Sequence, residues 1–340
     1  MVFLRKLLFP FALLYWIVTA VRNFLYDHKI LKSYRFDVPV IAVGNLNVGG
    51  TGKTPQIEYL VRLLTPKYKV AILSRGYKRK SKGFILADEK ATAEILGDEP
   101  HQYYLKFRNA YVAVDADRRN GIESLLALKQ KPDVILLDDA YQHRKVKAGF
   151  YILLTAFDDI YSDDYILPMG NLRESAAGAK RANVIVVTKC PPQLEESEKA
   201  KIKQRLNIRD CQHIFFSVIE YDDRLYSATT SISTDSAFGK KKILVAGIAK
   251  PEPFFEHLEE EGDLVFEYPD HHAFSAEDIK KITKAAAGGL IITTEKDFVR
   301  LRDLISRKQL YYLPIKSKFF DAEKFDKTIL NYVGTSTADS

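Results

Sequence analysis

Short uninterrupted apolar runs alternate along this chain with stretches whose apolar residues recur three and four positions apart. That is the pattern of buried parallel strands separated by amphipathic helices. The runs fall at residues 38–43, 69–73, 110–114, 134–137, 151–154 and 184–187. Between the first two, Ile57, Leu60, Val61 and Leu64 mark one buried face of a helix. The alternation predicts a doubly wound, mostly parallel α/β sheet. Each strand ends in polar residues, so several side chains would converge on one sheet edge, where open α/β sheets bind ligands.

After residue 222 the pattern changes. Residues 227–239 are rich in Ser and Thr and show no helical period, which predicts a linker. The alternation then resumes, with strands expected at 243–246, 264–266, 290–293 and 310–313 and helices at 253–260, 277–287 and 298–305. The expected organisation is an N-terminal helix (1–25), a large α/β domain (26–222), a linker (223–240), a smaller α/β domain (241–333) and a disordered tail (334–340). No internal repeat is visible.

The N-terminus breaks the alternation with a charge-free stretch, residues 7–21, between Arg5-Lys6 and Arg22. It is short for a hydrocarbon core of about 30 Å and contains Pro10, so the expectation is a helix lying in a membrane interface, with Tyr15 and Trp16 at headgroup level. A core helix and an export leader are the competing readings, although export would carry a nucleotide site away from its nucleotide.

The most specific chemistry follows the first strand. In NVGGTGKTP, Gly49, Gly50 and Gly52 let the backbone curl and point N–H groups at phosphate oxygens; Lys53 supplies charge, Thr54 a hydroxyl for Mg²⁺, and Pro55 fits the first helical turn. Asn47, Val48 and Thr51 complete the expected nucleotide loop, with Asn47 where this type of loop usually has its first glycine. A metal-binding carboxylate is expected at the end of a neighbouring strand, and Asp138-Asp139 close the run DVILLDD. Thr188-Lys189-Cys190-Pro191 lacks the aspartate that grips guanine, which favours ATP over GTP. These residues together predict a P-loop NTPase-type fold.

Composition narrows the setting. The chain has 340 residues, enough for two domains, and a net charge of +7, which favours an anionic partner. Two cysteines without metal-ligand spacing exclude a disulfide framework. No groove-reading or aromatic-basic motif supports nucleic acid as a partner. Asp98 in GDEP reads equally as a helix cap or a base, and Arg173-Glu174 equally as a surface ion pair or a phosphate clamp. His271 and His272 follow a strand without further metal ligands nearby, so a catalytic or substrate-binding histidine fits as well as a metal site.

The ordered set GNLNVGGTGKTP, SRGY, GDEP, DDAYQH, GNLRE, PDHH and TEKD resembles the tetraacyldisaccharide 4′-kinase family over nearly the whole chain. Ala140 replaces the usual glycine of DDGxQH, which would alter the turn after the acidic pair, and Asn47 replaces a common threonine. The resemblance implies transfer of the γ-phosphate of ATP to a tetraacylated glucosamine disaccharide 1-phosphate at the cytoplasmic face of the bacterial inner membrane. It implies Asp98 as base with His271 as its partner, Lys53 and the glycine-loop amides on the phosphates, and Thr54 with Asp139 or Glu174 on Mg²⁺. Asp138 joins the charged catalytic shell, and Arg75, Arg118, Asn171 and Arg173 are the expected substrate contacts. Two domains over one reaction imply hinge closure. The N-terminal helix would hold the membrane, with the chemistry elsewhere. A membrane-associated P-loop ATPase or switch driving a protein partner is the alternative.

Overall fold

The computed structural model describes residues 5–338. The strands are, in chain order, β1 (Val40–Asn45), β2 (Val70–Ser74), β3 (Ile85–Leu86), β4 (Tyr111–Val114), β5 (Val134–Asp138), β6 (Phe150–Ala156), β7 (Val184–Thr188) and β8 (His213–Tyr221). There follow β9 (Arg224–Tyr226), β10 (Ser231–Ser233), β11 (Lys242–Ala246), β12 (Leu264–Glu267), β13 (Leu290–Thr294), β14 (Leu310–Leu313) and β15 (Ile315–Phe319).

The larger sheet has the order β15-β8-β7-β6-β1-β5-β2-β4-β3, parallel except for its two edge strands. β1 lies between β5 and β6, so the chain winds one way from β1 toward β2 and later the other way to β6. That reversal opens a crevice beyond the carboxyl ends of these strands. β1 and β5 are buried along their whole length, as their unbroken apolar sequence requires, and Val43 stands opposite Asp138 in register. The glycine loop after β1 and the acidic pair after β5 are therefore neighbours. Ile57, Leu60, Val61 and Leu64 are fully buried on the helix Lys53–Leu64.

The smaller sheet runs β10-β9-β14-β13-β11-β12. It corrects three expected boundaries. Residues 223–240 are not a linker: β9 and β10 form an antiparallel ribbon on the edge of this sheet, anchored by buried Leu225 and Ala237. The chain also returns after β14. β15 pairs antiparallel with β8 of the larger sheet, and the helix Ala322–Ala338 packs Phe325, Ile329 and Val333 into the large-domain core. Residues 315–333 thus belong with the large domain. The third correction is the tail: residues 334–338 are helical, with Thr335 and Ser336 hydroxyls bonding back to carbonyls one turn earlier, while 339–340 lie outside the described residues.

The N-terminal helix runs Phe9–Asp27, with residues 1–4 outside the description. Pro10 occupies its first turn, where a missing N–H costs nothing, so it begins the helix rather than interrupting it. Only Ala12 is buried, which excludes the core-helix reading. Length and composition allow this helix to cross a membrane.

Candidate active site

The loop after β1 is shaped for phosphate. Gly52 sits in the left-handed region at φ 81°, which a side chain would strain, and it opens the helix Lys53–Leu64. The amides of Gly49, Gly50, Gly52, Lys53 and Thr54 donate to none of the described residues, leaving a row of open N–H groups at a helix N-terminus. The Val48 and Thr51 amides are already taken, by the Asn171 and Gly49 carbonyls. Lys53 Nζ is tethered over the loop by Asn45 Oδ1 at 3.3 Å and Asp139 Oδ1 at 3.6 Å. From the far side, the Thr188 hydroxyl holds the Thr51 carbonyl at 2.9 Å.

The two aspartates after β5 differ in environment. Asp138 is buried, bonded by the Ser74 hydroxyl at 3.2 Å, and burial together with the Asp139 and Glu99 charges pushes its carboxyl up to about 6. Asp139 lies in the left-handed region at φ 48° and accepts two bonds from Arg173 Nη1 at 3.0 and 3.1 Å. Burial opposes its charge, but Lys53 and Arg173 outweigh it and hold this carboxyl below the usual range. The donor set fits Mg²⁺ with ATP phosphates: a hydroxyl at Thr54 and a carboxylate at Asp138, where burial and neighbouring carboxylates outweigh Lys53 and Arg118, are hard oxygen ligands. Arg118 is almost fully buried, bonding the Asp115 carbonyl at 2.7 Å and the Asp138 carbonyl at 3.2 Å, and burial lowers its guanidinium to about 10. It therefore props the acidic turn and does not reach into open space. Arg75, at the end of β2, is exposed.

Asp98 and His271 come from different domains and meet across the boundary between them, with His271 Nδ1 3.6 Å from Asp98 Oδ2. Asp98 opens the helix Asp98–Lys106, packed against the helix Glu295–Leu301 of the smaller domain. His271 has φ 61°, unusual for a side chain this size, and its ring meets Tyr77 edge-on at 5.9 Å. His272 instead bonds Asp278 at 3.0 Å, within its own domain.

The comparisons bear on this arrangement. A family model described as tetraacyldisaccharide-1-P 4′-kinase matches residues 4–334. The chain belongs to the tetraacyldisaccharide 4′-kinase family. It is 61% identical to the tetraacyldisaccharide 4′-kinase of Flavobacterium johnsoniae, over 97% of each chain. It is 59% identical to that of Flavobacterium psychrophilum, over 99% of each. The crystal structure of Aquifex aeolicus LpxK in complex with ATP superposes with a TM-score of 0.78 at 33% identity, covering 97% of this chain and 99% of that one. The protein is accordingly a kinase with the fold of LpxK.

Both departures from the family pattern are accommodated. Ala140 keeps a negative φ because the left-handed residue of the turn is Asp139; its methyl is buried and its amide bonds the Val43 carbonyl, so the turn is retained. Asn47 does not face the loop: its amide reaches Asp159 and Asp164 at 3.4 and 3.2 Å, and its carbonyl accepts from Asn45 at 2.7 Å. It braces the phosphate loop from below.

The 168–174 loop of this kinase serves two neighbours. Toward the P-loop, the Arg173 amide bonds the Leu46 carbonyl at 2.8 Å and the Asn171 carbonyl takes the Val48 amide. Toward the N-terminal helix, Arg5 bonds Asn171 Oδ1 at 3.1 Å, the Gly170 carbonyl and the Pro168 carbonyl, and the Tyr15 hydroxyl bonds the Arg173 carbonyl at 3.0 Å. Glu174, expected on Mg²⁺, gives one oxygen to Asn23 at 2.8 Å and the other to Arg181 at 2.7 Å. Both oxygens are engaged, so as placed it anchors the helix. Asn171 is likewise engaged by Arg5.

Sequence reasoning missed Lys189 and Arg300. Lys189 has φ 57° and reaches over Gly50, forming no ion pair among the described residues, and burial first, then Lys250 and Lys296, lower its ammonium. The only sequence signal for it was its position after a strand of the nucleotide sheet.

Proposed function

We propose that this kinase transfers the γ-phosphate of ATP to the 4′-hydroxyl of a tetraacylated glucosamine disaccharide 1-phosphate, in lipid A biosynthesis, at the cytoplasmic face of the inner membrane. The observation that carries the reading is that the helix Asp98–Lys106, beside Thr54 and Asp138, brings Asp98 to His271 of the smaller domain, while the 168–174 loop ties the P-loop to an apolar helix. Such a helix brings the site to a lipid whose chains each resist leaving the bilayer by about 0.8 kcal/mol per CH₂.

In this reading the open amides of Gly49, Gly50 and Gly52 and the Lys53 ammonium hold the β- and γ-phosphates, with Lys189 covering the loop. Thr54, Asp138 and Asp139 would hold Mg²⁺, which supplies neutralisation of phosphate charge. The sugar oxygen attacks the γ-phosphorus, the bond to the β-phosphate oxygen breaks, and the hydroxyl proton passes to Asp98. Arg173, linked to Asp139, and the exposed Arg75 supply positive charge for the phosphates. Apposition of the smaller domain excludes water from the transfer.

The test is single-turnover chemistry with γ-labelled ATP, with and without the tetraacyl disaccharide in anionic vesicles. Label should move to lipid when the disaccharide is present and ATP should be consumed only slowly without it. Lipid-independent hydrolysis at the same rate would support an ATPase or switch and overturn the kinase reading.

A further inference from the structure

Arg300 is the residue that joins Asp98 to His271. It lies on the helix Glu295–Leu301, after the TEKD motif, and its side chain is nearly buried. Nε and Nη2 both donate to Asp98 Oδ2, at 3.0 and 2.6 Å. Nη2 also approaches His271 Nδ1 at 2.9 Å. On its other side Nη1 bonds Asp297 Oδ1 at 3.0 Å. Asp297 is fully buried and pinned in turn, by the Thr294 hydroxyl at 2.7 Å and the Gly247 amide at 2.8 Å. The guanidinium is thus braced by its own domain and extended into the other.

This geometry constrains both partners. A guanidinium only donates, so the His271 Nδ1 it approaches must be an unprotonated acceptor, which puts the ring proton of neutral His271 on Nε2. One carboxylate oxygen of Asp98 is occupied by Arg300, while Oδ1 accepts from none of the described residues. We propose that Arg300 is the positioning residue of the transfer site: from the smaller domain it orients Asp98 so that Oδ1 alone faces the incoming hydroxyl, and it fixes the tautomer of His271. The base is then complete only when the two domains are apposed. This inference rests on the reading of Asp98 as the base.

The full-length enzyme is compared with Arg300→Ala, Arg300→Lys and Asp98→Ala, each checked for thermal melting and ATP affinity. Arg300→Ala should lower kcat by about 10²-fold with KM for ATP within about threefold, because ATP is held by the other domain. Arg300→Lys should recover only part of the loss, since one ammonium cannot span Asp98, His271 and Asp297 together. Millimolar guanidinium ion should restore Arg300→Ala by about tenfold and leave Asp98→Ala unchanged, a result that lost packing would not produce. Near-normal kcat in Arg300→Ala beside an inactive Asp98→Ala would overturn the positioning role and leave the base standing. Near-normal kcat in Asp98→Ala would overturn the base reading itself. A loss in Arg300→Ala without guanidinium rescue, or one traced to weaker ATP binding or a lowered melting point, would make Arg300 a structural brace and also overturn the proposal.

Discussion

Asp138 and Asp139 are adjacent, yet their carboxyls are driven in opposite directions. Asp139 has Lys53 and Arg173 beside it, whereas Asp138 has a hydroxyl, a buried setting and a second carboxylate. Burial disfavours the charged form unless a cation offsets it. A carboxyl held at about 6, above its ordinary 3.8, lends stability to the fold while protonated and loses that contribution as pH rises through about 6. In the proposed site a bound Mg²⁺·ATP would reverse the preference. Binding near pH 5.5 should therefore release a fraction of a proton that disappears by about pH 7.5, and Asp138→Asn should remove this difference. Calorimetry in buffers of different ionisation enthalpy measures it; identical proton release in the variant would show that Asp138 does not respond to the nucleotide.

The N-terminal helix shows how one element carries two jobs on two faces. Phe11, Leu14 and Val18 project outward with most of their surface exposed, while Tyr15, Arg22 and Asn23 bond the loops around the candidate site. The helix, expected to be separate from the chemistry, is hydrogen-bonded to the loop that carries Arg173 to Asp139 in the candidate site. The two faces should separate by mutation. Replacing Leu14 and Val18 with Asn should raise KM for substrate in vesicles and spare a soluble short-chain analogue. Tyr15→Phe loses a hydrogen bond worth about 1 kcal/mol and should lower kcat several-fold on both substrates. Steady-state assays on the two substrates decide it, and equal effects from both classes of variant would refute the division of faces.

At the scale of the whole molecule, the chain crosses between domains twice, at 221–224 and 313–315, and the crossings are tied together. The Asp222 amide bonds the Pro314 carbonyl at 3.0 Å, and Lys316 pairs with Asp222. The helices Asp98–Lys106 and Glu295–Leu301 form the matching contact, through Lys296 on Glu99 at 3.2 Å and Lys106 on Glu295 at 2.8 Å. Glu58 bonds the same lysine at 2.7 Å. Burial, then the Glu58 charge, push Glu295 up to about 7, against the opposing pull of Lys106. The sign follows from that direction: the contribution to stability is whole below about 4.5 and is lost as pH rises through about 7. Glu295→Gln should remove this slope, which amounts to at most about 3 kcal/mol. Denaturant unfolding from pH 5 to about 8 tests it, and parallel curves for the two proteins would exclude Glu295 as the source.

Much of this was legible one residue at a time, because local chemistry determined it. The glycine loop, the apolar strands around it, Asp138-Asp139 and the outward apolar helix each follow from neighbours in the sequence. Asp98 and His271 were found only through the resemblance, since an aspartate after a glycine and a histidine after a strand signify nothing alone. Three things were decided by tertiary structure. The Ser/Thr-rich segment became an edge ribbon because the smaller sheet offered an unpaired strand, and β15 left that domain because β8 presented a free edge. Glu174 changed role because the N-terminal helix brought Asn23 to it. Arg300 was invisible because an arginine on a short helix is usually solvated, and only the fold carries it across a domain boundary to lie between an acid and a histidine.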